Sequence, residues 1–361
     1  MKETFTEIVA RLVRPEIQAL APYHVPDATG MVKLDAMENP YRWPPEIISA
    51  WLEQLRSAPL NRYPDPEART LRARLRESMA VPAQCGMVLG NGSDELIQMI
   101  ALAVAMPDRT ILAPEPSFVM YPMIAAFTGM HYVGVPLQKD FSLDLDAMRA
   151  AIVKHQPAAV FLAYPNNPTG NLYDGQAMCT IIEECPGLVI VDEAYHAFAG
   201  KSFMDALQRY PNLLVMRTLS KMGLAGLRLG ALIGAPAWLT EINKIRLPYN
   251  INVLTQISAE FALTHHDILT AQAEQIIAER ERLSVELRKL PGLTVYPSSA
   301  NFILFRTPAG RATEIFDGLK HHLVLIKNLD HTGGVLKDCL RVTVGTAEEN
   351  RLLLIALKAV L

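Results

Sequence analysis

The sequence predicts an α/β protein, a large mostly parallel seven-stranded sheet with helices on both faces plus a smaller α+β domain. Three observations predict it. Short β-branched or apolar runs alternate with longer helical patterns, as strands of a parallel sheet returned by helices must. After about Asn250 this alternation gives way to one long charged helix, then short strands and helices in the order of a small α+β unit. The length, 361 residues at 50% hydrophobic and 20% charged, suits about two globular domains with a large core. The expected division is a large domain over 39–250 and a small one built from 1–38 and 251–361.

At the N-terminus, Phe5–Leu20 reads as a helical stretch too short to be a domain, expected to pack on the small unit or on a partner subunit. Strands are expected at Met87–Leu89, Thr110–Ala113, His131–Val135, Ala158–Ala163, Leu188–Val191, Leu213–Arg217 and Leu229–Gly234. Between the first two, Asp94–Met106 places Leu96, Ile97, Ile100 and Val104 on one helical face. Pro116–Gln138 runs 23 residues without a formal charge, the length of a membrane span. Its Pro116, Pro122, Pro136, Gly129 and Gly134 would break such a helix, so a buried helix followed by a strand is expected. Beyond Asn250 come helix Ala271–Leu290, strands Leu293–Tyr296 and Phe302–Phe305, helix Ala312–His321, strands Val324–Ile326 and Leu340–Val344, and a last helix from Ala347.

Composition narrows the function classes. Lys plus Arg number 34 against 37 Asp plus Glu, a net charge of −3 with no basic block, so no nucleic-acid partner is expected. The N-terminus MKETFTEIVARLVRPE holds no apolar run of signal length, and a cytoplasmic protein is expected. Cys85, Cys179, Cys185 and Cys339 form no CxxC and no zinc-type cluster; they read as reduced thiols, with no metal site.

Four stretches carry chemistry. Leu89-Gly-Asn-Gly-Ser-Asp-Glu-Leu-Ile97 follows a strand and opens a helix, with Ser93 or Asp94 near the N-cap, where free N–H groups suit a phosphate. Tyr164-Pro-Asn-Asn-Pro-Thr-Gly170 turns sharply at the carboxyl edge of the sheet, where open α/β sheets bind ligands. The strand Leu188-Val-Ile-Val-Asp192 ends in two carboxylates, Asp192 and Glu193, which need a cationic or proton-sharing partner when buried. In Arg217-Thr-Leu-Ser220-Lys221-Met-Gly-Leu-Ala-Gly-Leu-Arg228, an apolar setting lowers the pKa of the Lys221 amine, as Schiff-base chemistry with an aldehyde needs. Arg228 and Ser220 would hold a phosphate. A phosphate, an aldehyde and a protonated ring nitrogen together describe pyridoxal 5′-phosphate.

Through Glu38-Asn-Pro-Tyr41, Arg62-Tyr-Pro-Asp-Pro66, Gly90-Asn-Gly-Ser-Asp-Glu95, Asn166-Asn-Pro-Thr-Gly170, Asp192-Glu-Ala-Tyr195, Thr218-Leu-Ser-Lys221 and Leu340-Arg-Val-Thr-Val-Gly-Thr346, nearly the whole chain resembles the fold-type I pyridoxal-phosphate-dependent aminotransferases. Within them it is most similar to the branch acting on histidinol phosphate. The resemblance implies that Lys221 holds the cofactor and moves the proton, and that Asp192 pairs with the ring nitrogen. It implies that Asn167 and Tyr195 bond the phenolic oxygen and that Phe118 stacks on the ring. The phosphate would lie at the Ser93 and Asp94 backbone, Thr218, Ser220 and Arg228, with Tyr63 reaching over from the second subunit of a homodimer with a shared active site. Arg341 would grip the substrate's anion, assisted by Tyr23 and Lys327, with Asn167 also touching substrate. Three features depart from the family pattern: Lys221 and Arg228 stand one residue closer than in many members, Met37 replaces a usual asparagine, and Lys327 stands where an arginine is common. The same site would also serve an aromatic-amino-acid aminotransferase or a threonine-phosphate decarboxylase. A ligand-sensing regulator is disfavoured by the presence of Lys221 and by the want of a basic recognition helix ahead of the large domain.

Overall fold

The structure is a computed structural model and describes residues 4–22 and 25–361. Its strands are β1 (Val32–Lys33), β2 (Gly86–Gly90), β3 (Thr110–Glu115), β4 (His131–Pro136), β5 (Ala159–Ala163), β6 (Leu188–Asp192), β7 (Leu213–Thr218), β8 (Gly230–Gly234), β9 (Thr294–Val295), β10 (Phe302–Arg306), β11 (Val324–Leu325), β12 (Lys327–Asn328) and β13 (Cys339–Thr343). All seven strands expected for the large sheet form, in the order β2-β8-β7-β6-β5-β3-β4. Every ladder among β3 to β7 is parallel, while β8 runs antiparallel to both its neighbours, β2 and β7.

The central strands β5, β6, β7 and β8 are buried along their whole length. Helices cover both faces, which is why these strands read as unbroken apolar runs rather than alternating ones. One core, including Leu112, Val160, Val189 and Val215, fills one face; another, including Ile97, Ile100, Phe161, Ile190 and Leu214, fills the other. The uncharged stretch resolves into helix Met120–Thr128 and β4. No helix among the described residues is long and apolar enough to cross a membrane.

The small unit holds an antiparallel sheet in the order β12-β13-β10-β9, with a core of Ile303, Phe305, Val342 and Leu353 among others. Helix Ala312–His321 forms over the expected residues, and the long helix spans His266–Arg288. The last helix starts at Ala347, where Thr346 and Glu349 close a capping box. The expected strand Val324–Ile326 divides at Ile326. Its first part, β11, pairs in parallel with β1, and the chain then crosses to the antiparallel sheet as β12. The expected boundary at 250 falls just before helix Val253–Thr264, whose Ala259 and Ala262 share a core with Leu71 and Leu75 of the large unit.

The N-terminal stretch is not one helix. It breaks into Phe5–Leu12 and Pro15–Gln18, because Pro15 offers no N–H and pushes Arg14 into an extended conformation. Its second part lies on the large unit. Pro15–Gln18 packs against helix Met120–Thr128, where the Arg14 guanidinium donates to the Phe127 carbonyl.

Candidate active site

The carboxyl ends of β5, β6 and β7 and the start of β8 meet at one open cavity, lined among others by Ser93, Phe118, Asn167, Asp192, Tyr195 and Lys221. The register explains the convergence. Ala163 pairs with Asp192, and Thr218 pairs with Gly230 at the first residue of the antiparallel β8. The entrance of β8 therefore lies at the same rim as the exits of β5 to β7.

Asp192, the last residue of β6, is buried. Its carboxylate accepts from the hydroxyl of Tyr121 at 2.9 Å and from the Ala194 N–H at 3.1 Å. Desolvation pushes its pKa up to about 6, against the lowering effect of those donors. Among the described residues no cationic side chain forms an ion pair with it. Its neighbour Glu193 takes the opposite course. Glu193 is wholly buried, with Arg217 Nε and Nη2 each 2.9 Å from Oε2 and with the Ser202 hydroxyl donating to both carboxylate oxygens. Of the two carboxylates at the strand end, one is neutralised inside the protein and the other faces the cavity.

Lys221 follows β7 in a single short 3-10 turn, Ser220–Met222. Its Nζ donates to the Ala36 carbonyl at 3.3 Å and lies 5.8 Å from the centre of the Tyr195 ring. Desolvation first, then the Arg341 charge, lowers its pKa to about 8. The amine is thus partly neutral near physiological pH, which a nucleophile toward an aldehyde requires.

The end of the cavity expected to take a phosphate is built from glycine and backbone. Gly92, at φ +86°, is the N-cap of helix Ser93–Val104, with no side-chain cap, and Ser93 and Asp94 follow it as the first two helical residues, near the N-cap as expected. That positive φ is why glycine stands there; a Cβ would also sit 2.6 Å from the movable Arg228 Nη2. The first N–H groups of the helix are left facing the cavity rim. Arg228, in the left-handed region at φ +50°, donates to the Ser220 hydroxyl at 3.4 Å and to Asp94 Oδ2 at 3.3 Å. Thr218 Oγ1 accepts from the Ser220 N–H at 3.1 Å and donates to its hydroxyl at 2.9 Å. The closer spacing of Lys221 and Arg228 therefore still brings the guanidinium to the Ser220 end of the cavity.

Beyond the lysine lies a second cationic corner. Arg341 on β13 donates to Asn167 Oδ1 at 2.5 Å and to the Asp35 carbonyl at 2.9 Å, with its guanidinium 5.3 Å from the Phe302 ring centre. Lys327 is its cross-strand partner. Desolvation, then the Arg341 charge, lowers the pKa of the half-buried Lys327. Two cations in direct register favour an anion between or above them. Asn167 Nδ2 donates to the Tyr195 hydroxyl at 3.2 Å and so joins this corner to the Tyr195 side of the cavity.

The structure thus brings together Ser93, Asp94, Phe118, Asn167, Asp192, Tyr195, Thr218, Ser220, Lys221 and Arg228 at one cavity, with Arg341 and Lys327 beside it. Tyr63 is not brought in. It is 78% exposed and stacks on Tyr249, rings 4.4 Å apart. Tyr23 lies outside the described residues. Sequence reasoning missed Tyr121, whose hydroxyl reaches Asp192 from a neighbouring helix, and the Ala36 carbonyl, which carries no side-chain signal at all. The buried carboxylate's need for donors was the only clue to Tyr121.

The residues present fit pyridoxal phosphate. A buried carboxylate without a cation, a desolvated amine and a glycine cradle at a helix N-terminus correspond to its ring nitrogen, aldehyde and phosphate. Comparison with known proteins gives the same answer. The family model for class I and II aminotransferases matches residues 29–357. The chain is 61% identical over 351 residues to histidinol-phosphate aminotransferase 2 of Nitrosococcus oceani, covering 97% of this chain and 98% of that one. It is 52% identical over 350 residues to the histidinol-phosphate aminotransferase of Chromobacterium violaceum, with 97% and 98% covered. The crystal structure of histidinol-phosphate aminotransferase from Sinorhizobium meliloti in complex with pyridoxal-5′-phosphate superposes with a TM-score of 0.86 at 25% identity, covering 97% of each chain.

Proposed function

The chain belongs to the class I and II aminotransferases and is a pyridoxal-phosphate-dependent transaminase; from that premise we propose that it moves the amino group of L-histidinol phosphate to 2-oxoglutarate, giving imidazole acetol phosphate and L-glutamate. The observation that carries the substrate assignment is identity of 52–61% over nearly the full length to proteins of that activity. The site supports it. Histidinol phosphate has a phosphate where glutamate has a carboxylate, and the paired cations Arg341 and Lys327 suit either anion.

Bound pyridoxal phosphate supplies the electron sink that stabilises charge at the substrate's Cα. The protein does the rest. Lys221 anchors the cofactor's aldehyde carbon and, when its amine is free, carries the proton to and from Cα. Asp192 holds a proton on the ring nitrogen. Asn167 and Tyr195 bond the ring's phenolic oxygen, and Phe118 covers a ring face. The first N–H groups at Ser93 and Asp94, with Thr218, Ser220 and Arg228, bind the phosphate. Arg341 orients the substrate anion, with Asn167 fixing its guanidinium.

We also propose a homodimer with a shared site. Tyr63 has no place in its own cavity. The exposed Tyr63 and Tyr249 stack on each other, and Leu60 and Leu247, close to them in sequence, are exposed as well; exposed apolar side chains of this size suit an interface. Tyr63 would reach the partner's phosphate end.

The test is a half-reaction on purified holoenzyme. Histidinol phosphate alone should convert the visible absorbance of the lysine-bound cofactor to that of its aminated form, and 2-oxoglutarate should restore it. Conversion by phenylalanine alone, or CO₂ release from threonine phosphate, would overturn the substrate assignment. In Lys221→Ala both chromophore and turnover should be lost.

A further inference from the structure

Residues 34–37 form a short connector whose four successive carbonyls each accept a hydrogen bond from a different group. Leu34 O accepts from the Thr343 N–H at 2.8 Å, Asp35 O from Arg341 Nη2 at 2.9 Å, Ala36 O from Lys221 Nζ at 3.3 Å, and Met37 O from Asn301 Nδ2 at 2.9 Å. Three of these donors belong to the small unit. The fourth is the lysine that follows β7 of the large sheet.

One peptide plane carries the argument. Ala36 C=O and Met37 N–H belong to the same rigid trans peptide and point in opposite directions. At its far end, the Met37 N–H donates to Thr343 Oγ1 at 2.9 Å. Thr343 therefore fixes the plane that aims the Ala36 carbonyl at Lys221, and a hydrogen bond at one end of a peptide strengthens the one at the other. Met37 adopts φ +54°, a conformation that costs a non-glycine residue free energy; it turns the next carbonyl onto the wholly buried Asn301. Thr343 and Arg341, two apart on β13, share a face of that strand, so one face supplies both the plane's anchor and the group for the substrate anion.

We propose that Thr343 and Asn301 are positioning residues for proton transfer: Thr343 fixes the 36–37 peptide and Asn301 the 37–38 peptide that follows it, so that the Ala36 carbonyl holds the Lys221 amine whenever that amine is free of the cofactor. The proposal rests on Lys221 being the cofactor-bearing lysine.

Thr343→Val keeps the shape and removes the acceptor for Met37 N–H. Its kcat should fall about tenfold, the size of one well-placed hydrogen bond, with KM for the amino donor changed less than about twofold. The second readout is the pH dependence of pyridoxal phosphate capture by the cofactor-free protein. Without a fixed acceptor for the ammonium, its midpoint should move to lower pH. Arg341, Glu38, Asp94 and Arg228, the charges that act on Lys221, are unchanged in the variant. Thr343→Ser should restore both quantities. A folded Thr343→Val with wild-type kcat and capture midpoint, or a Thr343→Ser no better than Thr343→Val, would overturn the proposal. Should Thr343→Val not fold, Asn301→Ser attacks the same connector from its other end and should lower kcat in the same way; an unchanged kcat there would equally overturn it. Persistence of the chromophore in Lys221→Ala would instead remove the premise.

Discussion

Lys221 and Asp192 titrate away from their ordinary ranges in opposite directions for one reason, the removal of water from both. For Lys221 the folded pKa, about 8, lies below the usual 10.5. Between those values the unfolded chain binds more protons than the native one, so stability of the cofactor-free protein should rise with pH across that window. Urea unfolding at several pH values should show the rise, and Lys221→Met should flatten it. Capture of the cofactor should likewise accelerate up to about pH 8 and then level off, as measured by absorbance stopped-flow. At Glu193 the balance is different. Arg217→Ala would leave a fully buried carboxylate without its cation, a loss of about 3–5 kcal/mol readable from the urea midpoint. That Lys221, Asp192 and Arg228 would meet at one cavity was legible because each is a charge stranded in an apolar run. Tyr121 was not, since a hydroxyl on a helix shows in sequence only as one more aromatic of the core.

At the scale of elements, sheet and crossover helices follow from patterning, because strands buried on both faces must be apolar throughout. What patterning could not give is the split at Ile326, where neighbouring residues join different sheets, or the break at Pro15, which a helical reading of Phe5–Leu20 passed over although proline stood in plain view. The turn from β2 into helix Ser93–Val104 is the most constrained of these junctions. Gly92→Ala would combine a left-handed φ with a clash against Arg228, costing at least about 1 kcal/mol in stability. Its larger effect should be on the cofactor, whose dissociation constant, followed by equilibrium titration of the visible band, should rise while the secondary structure by circular dichroism stays intact.

For the whole molecule, the exposed Tyr63 makes one chain an incomplete catalyst under the dimer proposal. Complementation measures this directly. Lys221→Ala and Tyr63→Ala proteins, each poorly active, should regain activity when unfolded and refolded together, because a mixed dimer contains one site with both native residues; activity no greater than the sum of the parents would exclude sharing. The expectation that Tyr63 serves another subunit's site comes only from the family resemblance, for nothing in its local sequence distinguishes it from a polar turn. The antiparallel course of β8 has a last consequence, for protein engineering. Because Lys221 leaves one strand and Arg228 enters the next at the same rim, the eleven positions from Leu219 to Leu229 act as a ruler whose length sets the reach of the guanidinium. Libraries that vary residue identity there can keep the ruler intact, whereas insertions and deletions rescale it, so indel diversity belongs on the opposite rim.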